Sequence, residues 1–160
     1  MSTDNLTQIL TQTVERLSEP DSLKDVFHQH RDGDPLPSGK ALEEIIDLLR
    51  AILFPGFYGK STVNMRTLKY HIGVNVERLH KLLSDQITAG LCFVDSCDGD
   101  GHKCRDCHRC KAAELATRLI ERLPAIRAVL ATDVEAAYNG DPAAESKGEI
   151  ISCYPVIKAL

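Results

Sequence analysis

Five of the six cysteines lie between positions 92 and 110, in the run C-F-V-D-S-C-D-G-D-G-H-K-C-R-D-C-H-R-C. Two successive C-x-x-C spacings, Cys104 to Cys107 and Cys107 to Cys110, can bring several thiolates to one point, with Cys97 and Cys92 upstream. Soft thiolate ligands suit tetrahedral zinc or an iron–sulfur cluster. For zinc, Cys97, Cys104, Cys107 and Cys110 form a complete set, and His102 or His108 could substitute for one of them. For an iron–sulfur cluster, Cys104, Cys107 and Cys110 give a ferredoxin-like triplet, but the Pro that usually follows a distant fourth Cys is missing. Spacing does not separate the two metals, nor either from a reduced surface loop or one holding a disulfide. Calcium is a poor fit: an EF-hand loop starting at Asp95 needs Glu at its twelfth position and finds Asp106. Lys103, Arg105, Arg109 and Lys111 read as a solvated charge run.

Asp141 is the second candidate. It sits in Asn139-Gly140-Asp141-Pro142-Ala143, which reads as a helix stop followed by a restart. Gly140 can close a helix in the left-handed conformation. Asp141 can then accept the free N–H groups of a new first turn, with Pro142 at the helical position that tolerates it. By spacing alone Asp141 is an N-cap. Other chemistry-bearing residues lead to little. His28 and His30, two apart, do not share a helix face. His71 and His80 are more than two turns apart and are expected to satisfy local hydrogen bonds. Gly59-Lys60-Ser61 lacks the earlier glycine of a phosphate loop, since position 54 is Phe.

The elements that must position these residues are helices. Leu6, Ile9, Leu10, Val14 and Leu17 share one helical face, ended by Pro20. From Ser38, the residues Leu42, Ile45, Ile46, Leu49, Ile52 and Leu53 make a second stripe, stopped by Pro55-Gly56. A long helix is expected from about Val63 to Ala89, striped by Met65, Leu68, Ile72, Val76, Leu79, Leu82, Leu83 and Ile87. The pattern resumes at Glu114, breaks at Pro124 for a new helix to Tyr138, and breaks again at Ser146-Lys-Gly148. A last helix starts at Tyr154-Pro155 and is cut off at Leu160, like the front of something longer. No strand-like alternation persists, so the fold class is all-α: an irregular multi-helix bundle with a cysteine-rich loop.

At 160 residues and 43% hydrophobic content the chain can bury one core. Its net charge of -4 argues against a general nucleic-acid or membrane-surface binder. No apolar run approaches the roughly 20 residues needed to span a bilayer. The start Met-Ser-Thr-Asp-Asn-Leu lacks signal-peptide features, so a cytoplasmic location and mainly reduced cysteines are expected.

The C-terminal third carries a resemblance. Asp133-Val-Glu-Ala136, then Asp141-Pro142-Ala143, then Tyr154-Pro155 running to Ala159-Leu160, resembles the N-terminal helical domain of bacterial serine O-acetyltransferases. The likeness covers residues 114 to 160 closely and extends to 1 to 91. Residues 92 to 110 stand apart as a cysteine-rich insertion, and Gly140 stands where many relatives carry a basic residue. The resemblance implies that residues 1 to 160 are a helical domain truncated before a left-handed β-helix of hexapeptide repeats, a pattern this sequence does not contain. It implies transfer of the acetyl group of acetyl-CoA to L-serine for cysteine biosynthesis, with the general-base histidine and the acetyl-CoA site outside this chain. No catalytic residue then falls here, and the chain alone should be inactive. Asp141 becomes a substrate-binding residue that pairs with the polar groups of serine. The family assembles as a dimer of trimers and contacts cysteine synthase through a C-terminal tail absent here. The competing expectation is a metal-binding helical module centred on the cysteines.

Overall fold

The computed structural model describes residues 3–27, 35–59, 62–94 and 101–158, with the side chains of 101–105 and a few terminal positions left aside. Among the described residues every regular element is a helix, as expected; β structure is limited to one isolated bridge between Pro55 and Tyr58. The chain forms two compact units, Met1–Asp34 and Pro35–Leu160.

The first unit contains α1 (Thr3–Leu17) and the single turn α2 (Pro20–Leu23). The stripe Leu6, Ile9, Leu10, Val14 and Leu17 is present on α1, and all five side chains are exposed. Propensity and periodicity make the helix, but an apolar face in water contributes no burial energy.

The second unit is built on α3 (Gly39–Leu53), α4 (Leu68–Val94), α5 (Gly101–Gly140), α6 (Lys147–Cys153) and the short α7 (Pro155–Lys158). Ser38 caps α3, its hydroxyl accepting from Ala41 N–H at 3.3 Å, while its own N–H donates to Gln86 Oε1 of α4 at 2.8 Å. The buried face of α3 is Ile45, Leu48, Ala51, Ile52 and Leu53; Leu42 and Ile46 of the expected stripe are exposed. Pro55-Gly56-Phe57-Tyr58-Gly59 then turns the chain, using positive φ at Gly56 (88°) and Gly59 (102°), which glycine adopts without strain. Tyr58 reaches back to donate to the Ile151 carbonyl of α6 at 2.6 Å.

α4 starts at Leu68 rather than Val63. Asn64 Oδ1 accepts from the N–H groups of Arg66 and Thr67, at 3.0 and 3.2 Å, holding a turn ahead of the helix. Met65, expected in the stripe, is 86% exposed. α4 and α5 form an antiparallel hairpin, shown by His80 Nε2···Thr117 Oγ1 at 3.0 Å and Cys92 Sγ···His108 Nδ1 at 3.6 Å. Ala89, Ala112 and Ala116 are fully buried, so small residues let these two backbones approach closely. Leu79, also 0% exposed, anchors the core with Ile45, Ile52, Leu123, Leu130, Val134, Ile150 and Ile157.

Two expectations about α5 are corrected. Pro124 begins no new helix: the 40-residue α5 runs through it. Only its ring and missing N–H disturb the ladder, and an exposed position leaves room for the ring. The helix also begins at Gly101, not near Glu114, so Cys104, Cys107 and Cys110 lie on helical backbone rather than in a loop. Ser146-Lys-Gly148 is likewise a helix start, not a break. Ser146 caps α6, accepting from Glu149 N–H at 3.2 Å, and Glu149 Oε2 accepts from Glu145 N–H at 2.9 Å.

Candidate functional site

Asp141 follows the last residue of α5. The helix ends at Gly140 without the left-handed φ expected there; Asp141 N–H still reaches the Ala137 carbonyl at 3.2 Å. Asp141 does not cap a helix, since α6 begins only at Lys147, well beyond the reach of an N-cap. It closes a turn instead. Its Oδ1 accepts from Ala143 N–H at 2.9 Å, and its carbonyl accepts from Ala144 N–H at 3.1 Å. The side chain therefore satisfies local backbone as an Asx-turn does. The restart is delegated to Ser146.

The second carboxylate oxygen, Oδ2, accepts from the Tyr154 hydroxyl. Tyr154 is the C-cap of α6, its N–H bonded to the Ile150 carbonyl, so the phenol comes from a packed element. This hydrogen bond and the Ala143 amide hold the Asp141 carboxyl below its ordinary value, the phenol having the larger effect. Reciprocally, Tyr154 is pushed up to about 12, chiefly because its proton is held by the Asp141 carboxylate. A second stitch, the ion pair of Lys147 with Glu135, joins the start of α6 to α5 and lowers the Glu135 carboxyl. Asp141 is thus a fixed, ionised, half-buried carboxylate whose orientation is set from both ends. It can pair with an ammonium or accept from a hydroxyl. In the sequence Tyr154 marks only a helix start; its partnership with Asp141, thirteen residues back, has no local signal.

The cysteine region divides differently from the expected tetrad. Cys97 lies outside the described residues, and so do His28 and His30. Cys107 and Cys110 are exposed on α5. His102 and Cys104 lie in the first turns of α5, placed by their backbone alone. On a straight helix Cys104 and Cys110 are about 9 Å apart along the axis, too far to share one ion with Cys107 between them. His108 is instead turned into the hairpin, 8% exposed, against Cys92. Among the described residues no three metal-binding side chains converge. His71 makes the local hydrogen bond expected of it, to Asn75 at 3.0 Å, whereas His80 pairs across the hairpin with Thr117 of α5, also at 3.0 Å, and not locally as expected. No described helix is long and apolar enough to cross a membrane.

With the helical unit and its carboxylate turn described, comparison with known proteins finds a similar protein. Over 126 residues, 79% of its length, the chain is 37% identical to a protein named "Serine acetyltransferase, plasmid" from Synechococcus elongatus. The resemblance read from the C-terminal third therefore stands: the chain is homologous to a serine acetyltransferase. It spans about two-fifths (40%) of that relative's length. No protein-family model matches the chain.

Proposed function

We propose that this chain is the N-terminal helical part of a serine O-acetyltransferase, an enzyme that moves the acetyl group of acetyl-CoA to the hydroxyl of L-serine. The observation that carries the reading is the 37% identity over most of the chain to a protein named for that activity. Within it, Asp141 is the contact to L-serine. A carboxylate already fixed by Ala143 and Tyr154 can receive the serine ammonium or hydroxyl without first being ordered, which is how positioning lowers a barrier. The general base and the acetyl-CoA site lie in the remainder of the enzyme, so the helical part alone is inactive. Its role besides Asp141 is homo-oligomerisation, for which the exposed apolar face of α1 is available. Work on an amino-acid biosynthetic substrate and a cytoplasmic location go with this reading.

The test joins the chain ahead of the remaining length of the Synechococcus relative and follows release of the CoA thiol from acetyl-CoA. The chimera should show release that depends on L-serine, and the chain alone should show none. Removing the charge from a hydrogen bond to substrate typically costs one to two decades, so Asp141→Asn should lower kcat/KM for serine by about 10- to 150-fold. The KM for acetyl-CoA should stay within about twofold. Unchanged serine kinetics in the Asn variant would remove Asp141 from the site, and a soluble chimera with no serine-dependent release would remove the acetyltransferase reading.

A further inference from the structure

We propose that Cys107 and Cys110 form a vicinal dithiol on the outer face of α5, which closes reversibly to a disulfide by exchange with a small-molecule disulfide. Both residues lie inside α5, and both side chains are exposed. His108, between them in sequence, is turned into the hairpin and 8% exposed, and Ala112 is fully buried on the same face. At about 100° per residue this register leaves the two cysteines about 60° apart around the axis, on the side away from α4. A reagent therefore reaches both thiols without opening the hairpin. Three residues apart on a helix, their Cα atoms are separated by about 5 Å, inside the range of about 4.4–6.8 Å that disulfides span. Their Cβ atoms, about 5–6 Å apart on a regular helix, must close to about 3.5–4.5 Å. Tightening that one turn towards 3₁₀ geometry, in which residues three apart eclipse, supplies the approach.

The chemistry is two successive thiol–disulfide exchanges. The thiolate of one cysteine attacks a sulfur of the small disulfide, forms a mixed disulfide and expels one thiolate. The second cysteine, as its thiolate, attacks the protein sulfur of that mixed disulfide, forms the Cys107–Cys110 bond and expels the other thiolate. Two protein thiols are oxidised and one external disulfide is reduced to two thiols, which take up the two protons the cysteines gave. Cys153 is a comparison within the same chain: it is exposed on α6 and has no neighbouring cysteine in the sequence. It can carry the exchange only as far as the mixed disulfide. The proposal is independent of the acetyltransferase reading.

The experiment incubates the reduced full chain with glutathione disulfide in native buffer, alkylates the remaining thiols, and maps the cysteines by tryptic digestion and mass spectrometry. Trypsin cuts after Lys103, Arg105, Arg109 and Lys111, so Cys104, Cys107 and Cys110 fall on separate peptides and every pairing among them is distinct. The expected product links the peptide Asp106–Arg109 to the peptide Cys110–Lys111 and is lost on adding dithiothreitol, while Cys153 carries glutathione only. Cys107→Ser and Cys110→Ser should each leave the other cysteine with a glutathione adduct that persists at least about tenfold longer than in the wild type. Both positions are exposed, so circular dichroism should show the helix content of both variants unchanged. Cysteines 107 and 110 that gather adducts without linking would overturn the proposal. A link from either of them to Cys104 in preference would do the same, as would a link that forms only in urea.

Discussion

Pro124→Ala should make the second unit more stable, although it removes a residue that looks like a designed helix boundary. Pro124 lies inside the 40-residue α5 and its side chain is exposed, so the change costs no core packing. The proline cannot donate to the carbonyl of Ile120 four residues back, and its ring crowds that carbonyl. Interior proline is about 3 kcal/mol worse than alanine in a helix. Part of that cost is already absorbed, because the helix is continuous through Pro124 and the neighbours Leu123, Leu130 and Val134 are well buried in the structure as it stands. A gain of about 1–2 kcal/mol is the reasonable expectation after that relief. For a unit of this size a kilocalorie moves Tm by roughly 3–5 °C, so the midpoint should rise by about 3–10 °C. Urea unfolding followed by far-UV circular dichroism gives the free energy directly, and an unchanged slope would show that the two-state comparison holds. A lowered midpoint would refute the reasoning. It would mean that the backbone geometry the proline imposes helps to seat the second half of α5 on the core, and that the proline is favourable where it stands.

Leu79→Ala should cost about 3–5 kcal/mol, since Leu79 is fully buried and deletion leaves a cavity between packed helices; a urea-melt loss under about 1 kcal/mol would show that the hairpin collapses onto the gap. The Asp141–Tyr154 pair predicts both limbs of the pH profile. Asp141 is lowered in the folded state, so its contribution is complete above the ordinary carboxylate range and is lost as pH falls through the depressed value. Tyr154 is raised to about 12, so its contribution is complete below the ordinary tyrosine value of about 10 and is lost as pH rises towards 12. Tyrosinate absorbance of the wild type should therefore contain a late-ionising phase that Tyr154→Phe loses, and an unchanged high-pH titration in that variant would contradict the pairing.

Much of the fold was legible because aliphatic stripes at helical spacing leave few alternatives. The helix that buries Ile45 and Ile52, and the one that buries Leu79, lie where periodicity places them. What misled was punctuation. Pro124 reads as a boundary because proline is costly inside a helix, yet tertiary packing on both sides of it carries α5 through. Asp141-Pro142 has the form of a cap, but the Asx-turn satisfies the carboxylate locally and leaves capping to Ser146. That cap had a signal of its own, Ser146 and Glu149 three apart. At the cysteines, counting spacings in an expected loop favoured Cys107 and Cys110; helical register and the partner helix bring Cys92 and His108 together instead. Contacts between distant residues, such as Tyr154 with Asp141, are not written in any local pattern.

The length of α5 has a mechanical consequence. From His108 to Asp141 the chain climbs one helix for about 50 Å, at 1.5 Å per residue. Were that helix a stiff rod pivoting at its cysteine-bearing end, a tilt of about 5° would displace the far carboxylate by about 4 Å. That is more than the length of a hydrogen bond. Pro124 stands near the midpoint, where a missing rung gives the rod a compliant joint and dissipates such leverage. An alanine there would restore the rung and stiffen the helix between its two ends.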